Sequence, residues 1–326
     1  MDKSELRIVV LSIKSNSQYA KKIEDTFNKA GIDTTSMYVD EFYYLDNKDF
    51  AKNTINITLQ TDKITLYPKQ NLVFVDNTIM YHKMSAPIIE YFKSKGVALI
   101  NGYDCNHIMS SKYNLHIYLK RNQIPTPDGY IITEDNLASM IPYITKEFNF
   151  PVVIKANKGV DKPIYIAKDE AEMMSQLRAS SYAKGSVFIQ EYKEHDQVVR
   201  ALYFRDMPLN AIATKSVNGK VSFDKATTYK LSEDQSTVLN YVVNSISGEL
   251  VTVDFIVKDD NMYIIDVDFK FSIFGDNNFF TAQNLNGIIN KILLDFKIDS
   301  GTSPIDKLQT ESDHLDGDGI YDYLIK

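Results

Sequence analysis

What this chain lacks narrows its reading first. It has a single cysteine, Cys105, in 326 residues. One thiol excludes an internal disulfide framework and any multi-thiolate metal centre. No G-x-G-x-x-G occurs, which removes the dinucleotide-binding fingerprint. Nothing approaches the roughly 20 consecutive apolar residues of a membrane span. The N-terminal stretch MDKSELRIVVLSIK has too short and too interrupted an apolar run for a signal peptide, so a cytoplasmic location is expected. Excess positive charge is missing as well. A net charge of −7 argues against a general nucleic-acid binder, although local basic patches remain compatible with it. There are no internal repeats, no low-complexity segment and no long linker.

What is present is ordinary in bulk: 44% hydrophobic and 24% charged residues, in a chain long enough for two or three α/β units with their own cores. Residues 7–13, RIVVLSI, form a nearly continuous apolar run, as a buried parallel strand requires. Helical spacing over 19–30 stops at Gly31, and a strand is expected at 35–39. Residues 54–67 read as a hairpin around Thr61, Asp62 and Lys63. A strand at 72–75, a helix at 86–95 ended by Gly96 and a strand at 97–100 complete a β-α-β alternation. That pattern predicts a small open-sheet domain.

Further on, Ser110 or Ser111 caps a helix whose Leu115, Tyr118 and Leu119 face inward, and the run IPTP forces an extended exit. Lys112 then falls in the first turn, where the macrodipole mildly disfavours a cation. Such a lysine is ordinarily a surface residue, or one that reaches an anionic ligand at a domain junction. Residues 151–155, PVVIK, predict a strand ending in Lys155 just before the turn ANKGVDKP. A lysine there ordinarily snorkels, but the glycine-containing turn adds a phosphate-contact reading. Strands follow at 164–167, 186–190, 198–204 and 209–214, and helices at 169–177, 231–243 and 283–296. Ser232 and Gln235 make a capping box for the second of these helices. In the tail, DHLDGDGIYD, the residues Asp316, Asp318 and Gly319 fit part of a calcium loop. His314 and Ile325 stand where that loop needs carboxylates, so the tail reads as acidic and solvated.

The most informative stretch is 251–269, VTVDFIVKDDNMYIIDVDF, which reads as a β-hairpin with a turn of Asp259, Asp260 and Asn261. Lys258 then pairs with Met262, and Asp254 falls opposite Asp266 with Asp268 diagonal on the same face. One face carries Val253, Phe255, Val257, Tyr263, Ile265, Val267 and Phe269, a set fit for burial; the other mixes the aspartates with Ile256 and Ile264. Solvated aspartates on an exposed face are the bland alternative. Like charges facing each other destabilise a sheet, so something positive is expected there, and a hard divalent cation such as Mg²⁺ fits.

Taken in order, an open α/β unit, S-K-x2-L in a helix, I-P-T-P, P-V-V-I-K, Q-E-Y, then D-F-I and I-D-V-D on paired strands resemble the ATP-grasp superfamily, in particular its RimK-type peptide ligases and graspetide ligases. The resemblance spans essentially the whole chain and is strongest over 101–269. It implies an α/β and α+β fold: an N-terminal open α/β (pre-ATP-grasp) domain, 1–105, a central lobe with a linker helix, 106–190, and a C-terminal lobe with the metal site, 191–326. It further implies that Lys112 and Lys155 contact nucleotide phosphates and that Gln190, Glu191 and Tyr192 form the hinge that recognises adenine. Glu194 or Asp196 would hold the ribose. Arg200 would face the acyl-phosphate with Lys215 as a second cation, and Asp254, Asp266 and Asp268 would ligate magnesium. The implied cofactors are ATP and Mg²⁺, with Mn²⁺ as a substitute. The implied partners are small-molecule or peptide carboxylates and amines, with no nucleic acid and no membrane; a homo-oligomer is compatible with the sequence.

Two features depart from the family pattern. Its last ligand pair is usually Glu-x-Asn, whereas here it is Asp266-Val267-Asp268, and the loop after Lys155 has only Gly159. An extra carboxylate bears on metal preference, and few glycines mean fewer close backbone approaches to phosphate. The implied activity is an ATP-dependent carboxylate–amine ligase that makes an amide through an acyl-phosphate. Two alternatives are a small-molecule kinase of the inositol trisphosphate kinase type, which shares the fold, and a nucleotide-binding protein with impaired catalysis. A kinase acting on a polyphosphate needs a basic pocket, for which His195, Arg200, Lys215 and Lys220 offer only a thin set. Loops 218–228 and 271–280 are expected to choose the substrate, with Phe271, Phe274, Phe279 and Phe280 as pocket or core residues.

Overall fold

A computed structural model describes residues 6–46, 55–59, 63–67, 70–76, 79–80, 82–133, 135–157, 164–178, 186–216, 221–223, 225–259, 261–269 and 279–298. The first unit follows the expected alternation. β1 (Arg7–Ser12) is buried from its second residue onward, as RIVVLS dictates. α1 (Ser17–Lys29) then turns Ala20, Ile23 and Phe27 inward, a one-stripe helix lying on the sheet. Gly31, at φ +79°, lets the Ile32 N–H reach back to the Phe27 carbonyl at 3.0 Å and end the helix. β2 (Asp33–Tyr38), β3 (Phe42–Asp46), β4 (Ile55–Leu59), β5 (Lys63–Leu66), β6 (Asn71–Val75), α2 (Ser85–Ser94) and β7 (Ala98–Ile100) complete the unit. β2, β1, β6 and β7 pair in that order, all parallel. The expected 54–67 hairpin is present as β4 and β5, and β3 joins it as a third strand that the sequence did not single out.

α3 (Tyr103–Met109) and α4 (Lys112–Arg121) lead to the central sheet. There β8 (Gly129–Ile132), α5 (Leu137–Glu147), β9 (Val152–Ala156), β10 (Tyr165–Ala167), α6 (Glu170–Arg178) and β11 (Val187–Glu191) follow one another. The strands pair antiparallel in the order β10-β9-β11-β8 over a core of their own, which includes Ile144, Ile154, Met173 and Ile189. β12 (Gln197–Phe204), β13 (Met207–Thr214), β14 (Thr227–Thr228), α7 (Glu233–Ser245), β15 (Leu250–Lys258), β16 (Asn261–Asp268) and α8 (Ala282–Ile298) build the last unit. Its sheet is antiparallel, in the order β14-β13-β12-β15-β16. The Ser232–Gln235 capping box starts α7 as expected.

The largest apolar core runs from β1 and α1 through α3 and α4 into β12, β15 and β16. Buried polar contacts cross the same junction: the Asn101 side chain donates to the Leu250 carbonyl at 2.6 Å and accepts from the Glu249 and Leu250 N–H groups at 2.9 and 3.0 Å. The first and last units are therefore packed together, while the central sheet keeps a separate core. Phe279 and Phe280 are buried in the large core rather than lining a pocket, and Phe271 and Phe274 lie outside the described residues. Gly159, Lys220 and the acidic tail also lie outside them. Among the described residues, no helix is long and apolar enough to cross a membrane.

Candidate active site

The hairpin forms, but in a corrected register. Lys258 pairs with Asn261 and Val257 with Met262, one residue away from the expected pairing. A shift at Ile265 then restores the expected match, so that Asp254 sits opposite Asp266 and Thr252 opposite Asp268. A one-residue shift exchanges faces along a strand. Hence Ile264 joins Val253, Phe255, Val267 and Phe269 in the core, whereas the sequence placed it with the aspartates. Tyr263, expected in the core, is instead the neighbour of Ile256 on the side of the aspartates. The irregularity also frees backbone groups for other elements. The Ile264 N–H donates to the Pro125 carbonyl at 2.8 Å, and the Ile265 carbonyl accepts from Lys155 at 3.1 Å.

The positive charge required beside the facing aspartates comes from the protein itself. Lys112 donates to both oxygens of Asp266, each at 2.6 Å. Arg200, directly across from Asp254 on β12, donates from Nε and Nη2 to its two oxygens, each at 2.7 Å. These bidentate, half-buried pairs are the strong kind of ionic contact. Burial works against the charge on Lys112, but Asp266, Asp268 and Asp254 outweigh it and hold the ammonium above its ordinary value. Burial opposes the charge on Arg200 too, and Asp254, Asp266 and Asp268 likewise outweigh it. The three carboxylates thus act on one patch. Among the described residues, however, no group of three or more His, Cys, Asp or Glu is arranged to hold a metal ion by itself. Asp268 turns one oxygen to the N–H of Phe269 at 2.8 Å.

Lys155 takes the opposite course. It is buried at the end of β9, donates to Gln190 at 2.9 Å, and among the described residues has no carboxylate partner of its own. Burial pulls it down to about 8; Asp266 raises it and Lys112 lowers it further. Lys112 and Lys155 are brought together by Asn157, a residue the sequence reading passed over. Its Oδ1 accepts from the Ser111 hydroxyl and the Tyr113 N–H, both at 2.9 Å, and its carbonyl accepts from the Lys112 N–H at 2.9 Å. The start of α4, capped by Ser111, is thereby tied to the end of β9. An asparagine two residues past a strand-ending lysine, opening a glycine-containing turn, was the available signal.

The proposed hinge splits in two. Gln190 is buried beneath Lys155, and the Glu191 N–H donates to the Asp128 carbonyl at 2.8 Å. Glu191 also pairs with Lys193 at 2.7 Å, and Tyr192 lies beside His195 with ring centroids 5.6 Å apart. Glu194 and Asp196 are exposed and face Lys258 at 3.8 and 3.5 Å. Lys215, just past β13, is exposed, and the bonds that join Lys112, Lys155 and Arg200 to the hairpin do not involve it.

An open parallel unit followed by two antiparallel sheets that meet over lysines and paired aspartates is the ATP-grasp fold. The family model for the RimK-like ATP-grasp domain matches residues 109–278, more than half of the chain, and the chain belongs to that family. A D-alanine–D-alanine ligase of Helicobacter acinonychis (strain Sheeba) is 24% identical over 208 residues, 56% of this chain and 57% of that protein. The chain thus matches a little over half the length of this curated relative. A RiPP-associated ATP-grasp ligase of Chryseobacterium gregarium, solved with ADP and a leader and core peptide, aligns with a TM-score of 0.61 at 14% identity, covering 87% of this chain and 96% of that one. The ATP-grasp ligase PsnB, solved with a minimal precursor, Mg and ADP, gives a TM-score of 0.64 at 12% identity, with 91% and 99% covered. At such identities the likeness is one of fold.

Proposed function

We propose that this chain is an ATP-dependent carboxylate–amine ligase that joins a peptide or amino-acid carboxylate to an amine, releasing ADP and phosphate. One observation carries the reading: Lys112 and Arg200 grip the facing pair Asp266 and Asp254, and Lys155, from a third element, reaches the Ile265 carbonyl beside them. Activating a carboxylate requires its oxygen to attack the γ-phosphorus of ATP, which brings two anions together. Cations fixed in a partly buried site lower that repulsion without having to reorganise. ADP leaves and an acyl-phosphate results; the amine then attacks the acyl carbon, phosphate departs and the nitrogen loses a proton to give the amide.

In this reading Lys112 and Lys155 hold the nucleotide phosphates, so that ATP competes with Asp266 for Lys112. Gln190, Glu191 and Tyr192 line the adenine, and Glu194 or Asp196 binds the ribose. Arg200 faces the transferring phosphoryl group, with Lys215 as a second cation. The oxygen-only set Asp254, Asp266 and Asp268 suits a hard cation. These residues would hold Mg²⁺, or Mn²⁺ in its place, and the metal would supply further charge neutralisation across the phosphates. The working division of the chain is 1–105, 106–190 and 191–326, acting in the cytoplasm. Peptide substrates are favoured by the leader and core peptide bound to the Chryseobacterium structure.

The test is to incubate the chain with ATP, Mg²⁺ and a panel of carboxylate peptides and amines, following ADP, phosphate and product mass. Equal ADP and phosphate with a new amide is the expected result. ADP with a phosphorylated acceptor would overturn it in favour of a kinase, and nucleotide binding without turnover would leave a binding protein.

A further inference from the structure

Arg200 is held from two directions. In its plane, Asp254 takes Nε and Nη2, both at 2.7 Å; against its face lies the ring of Phe223, with Cζ 4.3 Å from the ring centroid. Phe223 belongs to no strand; it lies between β13 and β14 and packs against the large core. Its carbonyl accepts from the Ala226 N–H at 3.0 Å, which ties Phe223 to the chain just ahead of β14. The sheet alone would supply only the carboxylate clamp, because Arg200 and Asp254 are cross-strand neighbours. The ring is an addition from outside the sheet.

We propose that Phe223 is a positioning residue for Arg200. A carboxylate bound side-on fixes the plane of a guanidinium but leaves both faces to water. A ring over one face adds quadrupole attraction to the cation and removes water from that side. The Nη1 donors, which Asp254 does not use, are then presented in a fixed direction and a drier setting, where they act more strongly on an incoming phosphoryl or carboxylate oxygen. The inference rests on the proposed role of Arg200. It goes beyond that role in assigning a task to an aromatic residue from outside the sheet.

The experiment uses the full chain and separates bulk from ring character. Phe223→Leu keeps an apolar side chain and removes the π face; Phe223→Tyr keeps the face. Phe223→Leu should lower kcat about tenfold while KM for ATP stays within about twofold, and Phe223→Tyr should restore turnover. The Phe223→Leu loss should disappear in an Arg200→Lys background, since the two residues then no longer act as a unit. The chain has no tryptophan, so Phe223→Trp installs a sole indole over Arg200, and its emission should shift when Arg200→Gln is added. Wild-type kcat in a folded Phe223→Leu variant, an equal loss in the Arg200→Lys background, or an unshifted indole would overturn the inference while leaving the ligase reading intact. An inactive wild-type chain would overturn both.

Discussion

Two acidic regions of this molecule lie on neighbouring elements and are treated in opposite ways. On the hairpin floor, Asp254 and Asp266 are each gripped by a cation through two bonds of 2.6–2.7 Å. Between β11 and β12, Glu194 and Asp196 are 84% and 61% exposed and, among the described residues, face Lys258 at 3.8 and 3.5 Å. Water screens the second pair and leaves it worth little, whereas partial burial makes each charge on the floor depend on its partner. Charge by itself therefore does not mark a site; charge that has been desolvated and then matched does.

The largest effect is expected from Asp266→Asn, which removes the carboxylate facing Asp254 and leaves Lys112 beside a neutral amide. Turnover with ATP and Mg²⁺ should fall at least about tenfold, about 1.4–3 kcal/mol of barrier. Unchanged turnover in a folded variant would erase the distinction between the floor and the exposed pair.

A medium effect concerns Lys155. Its folded value near 8 lies below the 10.5 of a free lysine, so the folded chain releases this proton first as pH rises. Between those values the unfolded chain binds more protons, and this group's contribution to stability therefore increases with pH. Nucleotide affinity should move the other way, because phosphate requires the ammonium. Calorimetric titration of ATP from pH 7 to 9 should show weakening through about 8, and Lys155→Arg should flatten the profile. A flat wild-type profile would remove Lys155 from the phosphate contacts.

The smallest effect is expected at the exposed pair. Glu194→Gln and Asp196→Asn should leave the melting temperature unresolved from wild type. Any loss should appear in KM for ATP rather than in kcat, as a ribose contact predicts. A destabilised Glu194→Gln variant would mean that the exposed pair is not screened as argued.

Local patterns carried much of this fold. The apolar run of β1, the stripe of α1, the helix stops at Gly31 and Gly96 and the capping box of α7 are short-range features, and each appears where its residues require it. The pairing of Asp254 with Asp266 was legible for the same reason, since a hairpin brings near sequence neighbours together. The shift at Ile265 was not legible. It depends on Pro125 and Lys155, which meet the strand from other elements and take up its N–H and carbonyl groups.

Sequence alone settled the periodicities, the caps and the residue types from which a site could be assembled, because those depend on neighbours a few residues apart. Tertiary structure decided which charges meet. Lys112 and Asp266 are 154 positions apart, and Asn157 joins two elements 46 positions apart through Ser111. Such contacts follow from how sheets and helices stack around shared apolar cores, and ion pairs gain strength only where that stacking excludes water.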